Sequence, residues 1–201
     1  MHPSSAQIIP LYERHAAAFD RLRLKNGIER VWLDRLRALA GLGATVLDLG
    51  CGSGEPIARY LIAHGHAVTG VDAADAMLVF CRQRFPEQTW IQADMRMLAL
   101  GRRFGGLVAW DSFFHLPAAD QRAMFGIFAA HALPGAALLF TSGPQAGEAI
   151  GQFEGETLYH ASLDPEEYRA LLAGAGFSLV DHIADDPACG GRTVWLARYT
   201  T

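Results

Sequence analysis

The sequence predicts an α/β domain: a doubly wound, mostly parallel sheet with helices on both faces and an antiparallel last strand. Three observations carry the prediction. Short β-branched and apolar runs alternate with helical stretches, the order that a parallel sheet covered on both faces requires. The first of these runs ends abruptly in Gly50-Cys51-Gly52-Ser53-Gly54 and opens a helix. The last two runs, at 179–184 and 193–199, have no helix between them and so pair as a hairpin through 186–192.

The composition supports one such domain. In 201 residues, 51% are hydrophobic and 19% charged, enough apolar material for a substantial core and too little charge for a disordered chain. No repeat or linker-like stretch divides it, so 1–201 is read as a single domain. The formal net charge of −4 offers no global basic field, and a nucleic acid is not an expected partner. No window reaches the roughly 18 apolar residues of a membrane span, and the first residues lack a signal-peptide pattern. Cys51, Cys81 and Cys189 are widely spaced and form no metal-ligand pattern, so the expectation is reduced thiols in a cytoplasmic protein without a metal site.

Each element follows from its own pattern. Ile8, Leu11, Tyr12, His15, Phe19 and Leu22, then Ile28, Trp32, Leu36 and Leu39, recur at helical spacing and are broken by Gly27 and Gly41. They predict two helices ahead of the sheet, with 1–41 read as a helical lid. Strands are expected at 45–49, 67–72, 89–93, 106–110 and 136–141, and helices at 55–64, 75–85, 118–132 and 165–175. The stretch 147–163 has three glycines followed by Thr157-Leu158-Tyr159-His160, and is read as an extra strand or extended loop inserted near the carboxyl edge of the sheet, where open α/β sheets bind ligands.

The glycine turn carries the first chemical signal, because closely spaced glycines permit left-handed backbone and let a ligand approach the main chain where a strand hands over to a helix. Asp72, which ends the second strand, adds a carboxylate able to accept both hydroxyls of a ribose. Together they indicate a nucleoside-containing cofactor. A dinucleotide fingerprint would need a glycine where Glu55 stands, and a carboxylate at a helix N-terminus repels a pyrophosphate.

The ordered set Val46 to Gly54, Gly70-Val71-Asp72, Gln92-Ala93-Asp94-Met95 and Leu107 to Asp111 resembles the class I S-adenosylmethionine-dependent methyltransferases of the small-molecule type. The resemblance implies a Rossmann-like, seven-stranded sheet in the order 3-2-1-4-5-7-6 with strand 7 antiparallel. It implies that Asp48 lies near the methionine ammonium and that Gly50, Cys51 and Gly52 pass beneath the amino-acid portion. Asp72 would hold the ribose hydroxyls, and Ala73 and Met77 would line the adenine side. Asp94 would accept from the adenine amino group, the Met95 N–H would meet a ring nitrogen, and the carbonyl near Trp110 would face the ammonium.

Methyl transfer requires an aligned nucleophile and, for an O–H or N–H acceptor, somewhere for a proton to go. After the fourth strand comes Asp111-Ser112-Phe113-Phe114-His115, where His115 is a candidate general base with Asp111 as an orienting or electrostatic group; a plain turn role for His115 is the alternative. Tyr159, His160 and Arg192 are candidates for the acceptor pocket, with packing under the insertion and solvation as their alternatives. Tyr12, Phe19 and Arg23 on the first helix are candidates for closing over the cofactor. The expected activity is methyl transfer from S-adenosylmethionine to a small-molecule acceptor. The competing readings are a non-catalytic cofactor-binding sensor or partner subunit and an NAD-dependent oxidoreductase.

Overall fold

The computed structural model describes residues 2–201. A 3-10 turn at Pro3–Gln7 leads into α1 (Ile8–Leu22), which departs from helical dihedrals at His15 (φ −112°, ψ 20°). After α2 (Arg30–Ala40) the chain alternates: β1 (Val46–Leu49), α3 (Ile57–Ala63), β2 (Val68–Asp72), α4 (Asp75–Arg84), β3 (Thr89–Gln92), β4 (Phe104–Ala109), α5 (Ala118–His131) and β5 (Ala132–Ser142). A hairpin of β6 (Gly147–Phe153) and β7 (Glu156–Ser162) precedes α6 (Pro165–Gly174), β8 (Phe177–Asp186) and β9 (Arg192–Tyr199).

The main sheet runs β3-β2-β1-β4-β5-β9-β8, with β9 antiparallel to both neighbours. Leaving the β6–β7 hairpin out of the count, this is the order expected from the sequence. β1 is buried at all four positions because both of its faces are covered, which is why it reads as an unbroken apolar run apart from Asp48. On one face Leu47, Leu107, Leu138 and Phe140 pack with Phe125 and Phe128 of α5 and Tyr168 of α6. On the other, Val46, Val68, Val108 and Leu139 pack with Trp32 and Leu36 of α2 and Leu61 of α3.

Three expectations change. The stretch 147–163 is neither a lone strand nor an extended loop: β6 and β7 form a separate two-stranded sheet, closed by Glu154 (φ +50°) and Gly155 (φ +79°). Two successive left-handed residues give the tight turn that fits strand twist, and Glu-Gly is a weaker signal for it than Asn-Gly or Asp-Gly. The lid expected over 1–41 divides at the first helix: Trp32, Leu33 and Leu36 are fully buried against the sheet, so α2 is a layer of the core. β5 starts at Ala132 rather than 136, because Ala132 pairs with Phe104 before an irregularity that Gly135 (φ +83°) accommodates.

Candidate active site

The carboxyl ends of β1, β2, β3 and β4 open into a cleft of about 810 Å³, counted out to its mouth. The turn after β1 contributes Gly50 and Gly52, the end of β2 contributes Asp72 and Ala73, and α4 contributes Met77. The segment after β3 adds Asp94 and Met95, the loop after β4 adds Asp111 and His115, and Tyr12 and Phe19 close from α1. Asp48, Cys51 and Trp110 do not line it: they lie beneath, buried at the strand ends.

The glycines are required by geometry. Gly50 has φ +72°, and a Cβ there would sit 2.3 Å from Cβ of Ser112, an impossible contact. Gly52 has φ +54° and lies under the ring of Phe19, 3.2 Å from where its Cβ would stand. The turn is thus pressed between α1 and the loop after β4: no Cβ fits at Gly50, and one at Gly52 would push on the Phe19 ring. Asp72 holds it from below: Oδ2 accepts from Gly52 N at 2.8 Å and Oδ1 from Ala74 N at 2.9 Å. Each carboxylate oxygen can accept a second hydrogen bond, which leaves capacity for a pair of hydroxyls. Burial raises the pKa of Asp72, and those backbone donors partly counter it.

Asp48 is 1% exposed, and its Oδ2 has no partner among the described residues. Burial, reinforced by Asp72 and opposed by Arg23, pushes its pKa up to about 7. A buried carboxylate with an unused oxygen is costly unless a donor or cation meets it. Asp94 is placed differently: it caps the 3-10 turn Met95–Met97, and both its oxygens accept from the Arg96 guanidinium at 2.5 to 3.0 Å. Arg96 holds its pKa below the ordinary carboxylate value.

His115 is buried and doubly engaged. Its Nδ1 lies 2.7 Å from the Tyr159 carbonyl, which can only accept, so Nδ1 carries the proton. That leaves the Nε2 lone pair to accept from the Tyr12 hydroxyl at 3.0 Å. Burial lowers the His115 pKa to about 4, so the ring is neutral at physiological pH. Burial and the charge of Asp111 raise the Tyr12 phenol, which is also neutral. The pair offers a polar line of proton movement, from the Tyr12 oxygen to His115 Nε2. The His160 ring faces the imidazole at 4.8 Å.

Of the two roles expected for Asp111, the orienting one falls instead to the Tyr159 carbonyl, which holds Nδ1, while the electrostatic one stands: the Asp111 charge opposes the lowering of the His115 pKa by burial. Asp111 is instead held by two guanidiniums, Arg192 from the β8–β9 hairpin at 2.8 to 3.0 Å and Arg23 from the end of α1 at 2.7 Å. Burial alone would raise its pKa, but Arg192 and Arg23 together hold it below the ordinary value. Arg192 is therefore paired rather than solvated. Tyr159 is fully buried under the insertion, with its hydroxyl donating to Glu148 at 2.8 Å.

Two residues of the site went unnoticed in the sequence. Ser112 donates from Oγ to the Leu49 carbonyl at 2.6 Å, and its Cβ abuts Gly50. Phe153, at the tip of the insertion, meets the ring of Tyr12 at 6.1 Å and that of Phe19 at 6.4 Å. A lone Ser in a loop and a Phe ending an unrecognised strand carry no local signal.

Comparison with known proteins gives consistent matches. The family model described as methyltransferase domain matches residues 46–135. A 2-phytyl-1,4-naphtoquinone methyltransferase of Thermosynechococcus vestitus is 34% identical over 159 residues, 72% of this chain and 68% of that protein. A dTDP-3-amino-3,4,6-trideoxy-alpha-D-glucopyranose N,N-dimethyltransferase of Streptomyces venezuelae is 26% identical over 183 residues, 83% of this chain and 76% of that protein. Among solved structures, an amino pentose methyltransferase of Micromonospora echinaspora with bound S-adenosylmethionine superposes with a TM-score of 0.73 at 22% identity, covering 93% of this chain and 96% of that one. At that identity the superposition speaks for the fold.

Proposed function

The chain belongs to the class I S-adenosylmethionine-dependent methyltransferases, enzymes that pass a methyl group to a small-molecule acceptor, and from that premise we propose which of its residues carry the reaction. The residues present fit the cofactor. At Gly50 the turn leaves no room for a Cβ, so the backbone there is free to face a ligand, and Asp48 offers an unused buried oxygen suited to an ammonium. In this reading Asp72 holds the ribose hydroxyls, Ala73 and Met77 flank the adenine, and the Met95 N–H meets its ring edge. Asp94 accepts from the adenine amino group only by sharing oxygens that Arg96 now uses. Gly50, Cys51 and Gly52 pass beneath the amino-acid portion, with Asp48 and the Trp110 carbonyl toward its ammonium.

When bound, the cofactor supplies an electrophilic methyl on a sulfonium. The chain itself must then align an O–H or N–H acceptor and take its proton. Tyr12 and His115 fill that role in our proposal, the Tyr12 oxygen accepting the acceptor's proton as its own passes to His115 Nε2. Tyr159 fixes the tautomer that makes this possible, because its carbonyl holds the proton on Nδ1. Phe19, Tyr12 and Phe153 roof the cleft and would keep water from the reacting groups, with α1 as the lid. His160, tilted 34° against the imidazole at 4.8 Å, backs His115 from outside the cleft and does not line it.

Convergence supports this reading most strongly: segments far apart in sequence bring the glycine turn, Asp72, Met95 and the Tyr12–His115 pair into one cleft. Glu55, where the dinucleotide reading needs a glycine, is 8% exposed and paired with Arg59 at 2.5 Å, so a buried side chain fills the place that a close backbone approach would require. Turnover with labelled S-adenosylmethionine across phenol, amine and carboxylate acceptors tests the proposal, and methyl incorporation into none of them would favour a cofactor-binding sensor. No helix among the described residues is long and apolar enough to cross a membrane, and three buried free cysteines support a reducing, cytoplasmic setting.

A further inference from the structure

We propose that Arg192 is a positioning residue for the methyl-transfer site, acting through Asp111 on the loop that carries Ser112 and His115; the proposal rests on reading the cleft as that site. Asp111 is the second residue after β4 and has φ +48°, a left-handed conformation uncommon for residues with a side chain, though aspartate adopts it more readily than most. Two contacts hold the residue there. Its N–H donates to Thr141 Oγ1 on β5 at 2.9 Å, and its carboxylate is gripped by Arg192, whose Nε reaches Oδ1 at 2.9 Å and whose Nη2 reaches Oδ2 at 2.8 Å. The fork geometry fixes the plane of the carboxylate as well as its position.

Arg192 is itself held. Its Nη1 donates to the Cys189 carbonyl at 3.1 Å, and its guanidinium lies 6.0 Å from the centre of the Trp110 ring. It stands at the first position of β9, with Asp186 as its register partner across the hairpin, and does not line the cleft. The next residue after Asp111 is Ser112, which abuts Gly50, and His115 follows within the same 3-10 turn region. A change in the backbone of Asp111 therefore moves the wall of the glycine turn and the imidazole together.

The second guanidinium is not equivalent. Arg23 reaches Asp111 with a single bond at 2.7 Å and also faces Glu29 at 3.5 Å, so its charge is shared between two carboxylates. It follows the last turn of α1, the segment that covers the cleft, whereas Arg192 belongs to the main sheet. If α1 lifts to admit ligand, Arg192 remains to keep Asp111 charged and in place.

The test compares wild type with Arg192→Ala, Arg192→Lys, Arg23→Ala, Asp111→Asn and the Asp111→Asn/Arg192→Ala double variant. Two quantities are read: the imidazole nitrogen resonances of His115 in ligand-free protein, and S-adenosylhomocysteine affinity by calorimetry. Arg192→Ala is expected to shift the His115 resonances and weaken binding about tenfold, the scale of a lost charge-assisted pair. Lysine keeps the charge but cannot span both oxygens, so Arg192→Lys should fail to rescue. Arg23→Ala should shift the resonances less, and the double variant should lose no more than Asp111→Asn alone. Wild-type resonances and affinity in Arg192→Lys, a larger effect of Arg23→Ala, or additive losses in the double variant would overturn the proposal. Should Arg192→Ala not fold, Arg192→Lys decides. Should wild type fail to bind S-adenosylhomocysteine, the reading of the cleft fails, while the His115 resonances still decide whether Arg192 sets the loop.

Discussion

The hydroxyl of Tyr12 donates to Nε2 of His115 across 3.0 Å, joining the helix over the cleft to the loop beneath it. Because Nδ1 of the same ring is tied to the Tyr159 carbonyl at 2.7 Å, three separate elements meet on one neutral imidazole. The pair can pass a proton without either ring being charged at rest.

If that pair takes the acceptor's proton, His115→Ala lowers kcat by about 10²–10⁴ and leaves cofactor affinity nearly intact, and Tyr12→Phe lowers kcat in the same direction. With its pKa lowered to about 4 by burial, His115 stays neutral as pH falls through the ordinary histidine range. At saturating cofactor, kcat should then show no acid limb near pH 6.5 that disappears in His115→Ala. Such a limb would contradict the lowered pKa of His115, whereas full turnover by a folded His115→Ala enzyme would remove His115 from proton transfer.

Asp72→Ala should weaken S-adenosylhomocysteine binding at least tenfold, since each charge-assisted bond to a ribose hydroxyl contributes about 1.5–3 kcal/mol. The same carboxylate also holds Gly52 N and Ala74 N, so the melting temperature should fall as well. Calorimetry and a thermal melt on one preparation separate the two. Unchanged affinity would displace the ribose from Asp72.

Asp48 makes binding depend on pH. Its carboxyl, pushed up to about 7 by burial, is largely protonated below that pH in the ligand-free protein, and an ammonium partner favours the ionised form. S-adenosylhomocysteine affinity should therefore decline as pH falls from about 8 to 6, with proton release on binding, and Asp48→Asn should flatten that dependence. The sign for stability is opposite: a carboxyl whose folded pKa lies above its unfolded value stabilises at low pH and loses that contribution as pH rises through about 4 to 7. Asp48→Asn should accordingly raise the melting temperature of ligand-free protein at pH 8. A lower melting temperature there would show that the charge is already compensated.

Gly50→Ala should abolish cofactor binding, because the added Cβ meets Ser112 at 2.3 Å in a left-handed turn. The strain is local, so far-ultraviolet circular dichroism should remain near wild type while calorimetry shows no binding heat.

The sheet was legible in the sequence because its central strands are buried on both faces and read as short apolar runs, and Gly50 and Asp72 were legible because their chemistry is local. What could not be read depended on distant partners. Asp111 suggested a companion for His115, yet its actual partners are Arg23, 88 positions away, and Arg192, 81 positions away. Trp32 and Leu36 have a spacing that suits a lid as well as a core helix, and only the packing of α2 on the sheet distinguishes them. The β6–β7 hairpin escaped because Glu154-Gly155 is an uncommon choice for its turn.

Everything proposed for these residues depends on the cleft between the glycine turn and α1 binding the cofactor of methyl transfer. Titration calorimetry with S-adenosylhomocysteine at pH 8, run in parallel with NAD, addresses that dependence without intermediate steps. One-site binding of S-adenosylhomocysteine is expected, lost in Gly50→Ala and weakened at least tenfold in Asp72→Ala, with no heat from NAD. At 100 times its dissociation constant the ligand should add roughly 2.7 kcal/mol of stability, visible as a raised melting temperature. No binding at millimolar S-adenosylhomocysteine, or equal binding by wild type and both variants, would contradict the assignment of the cleft.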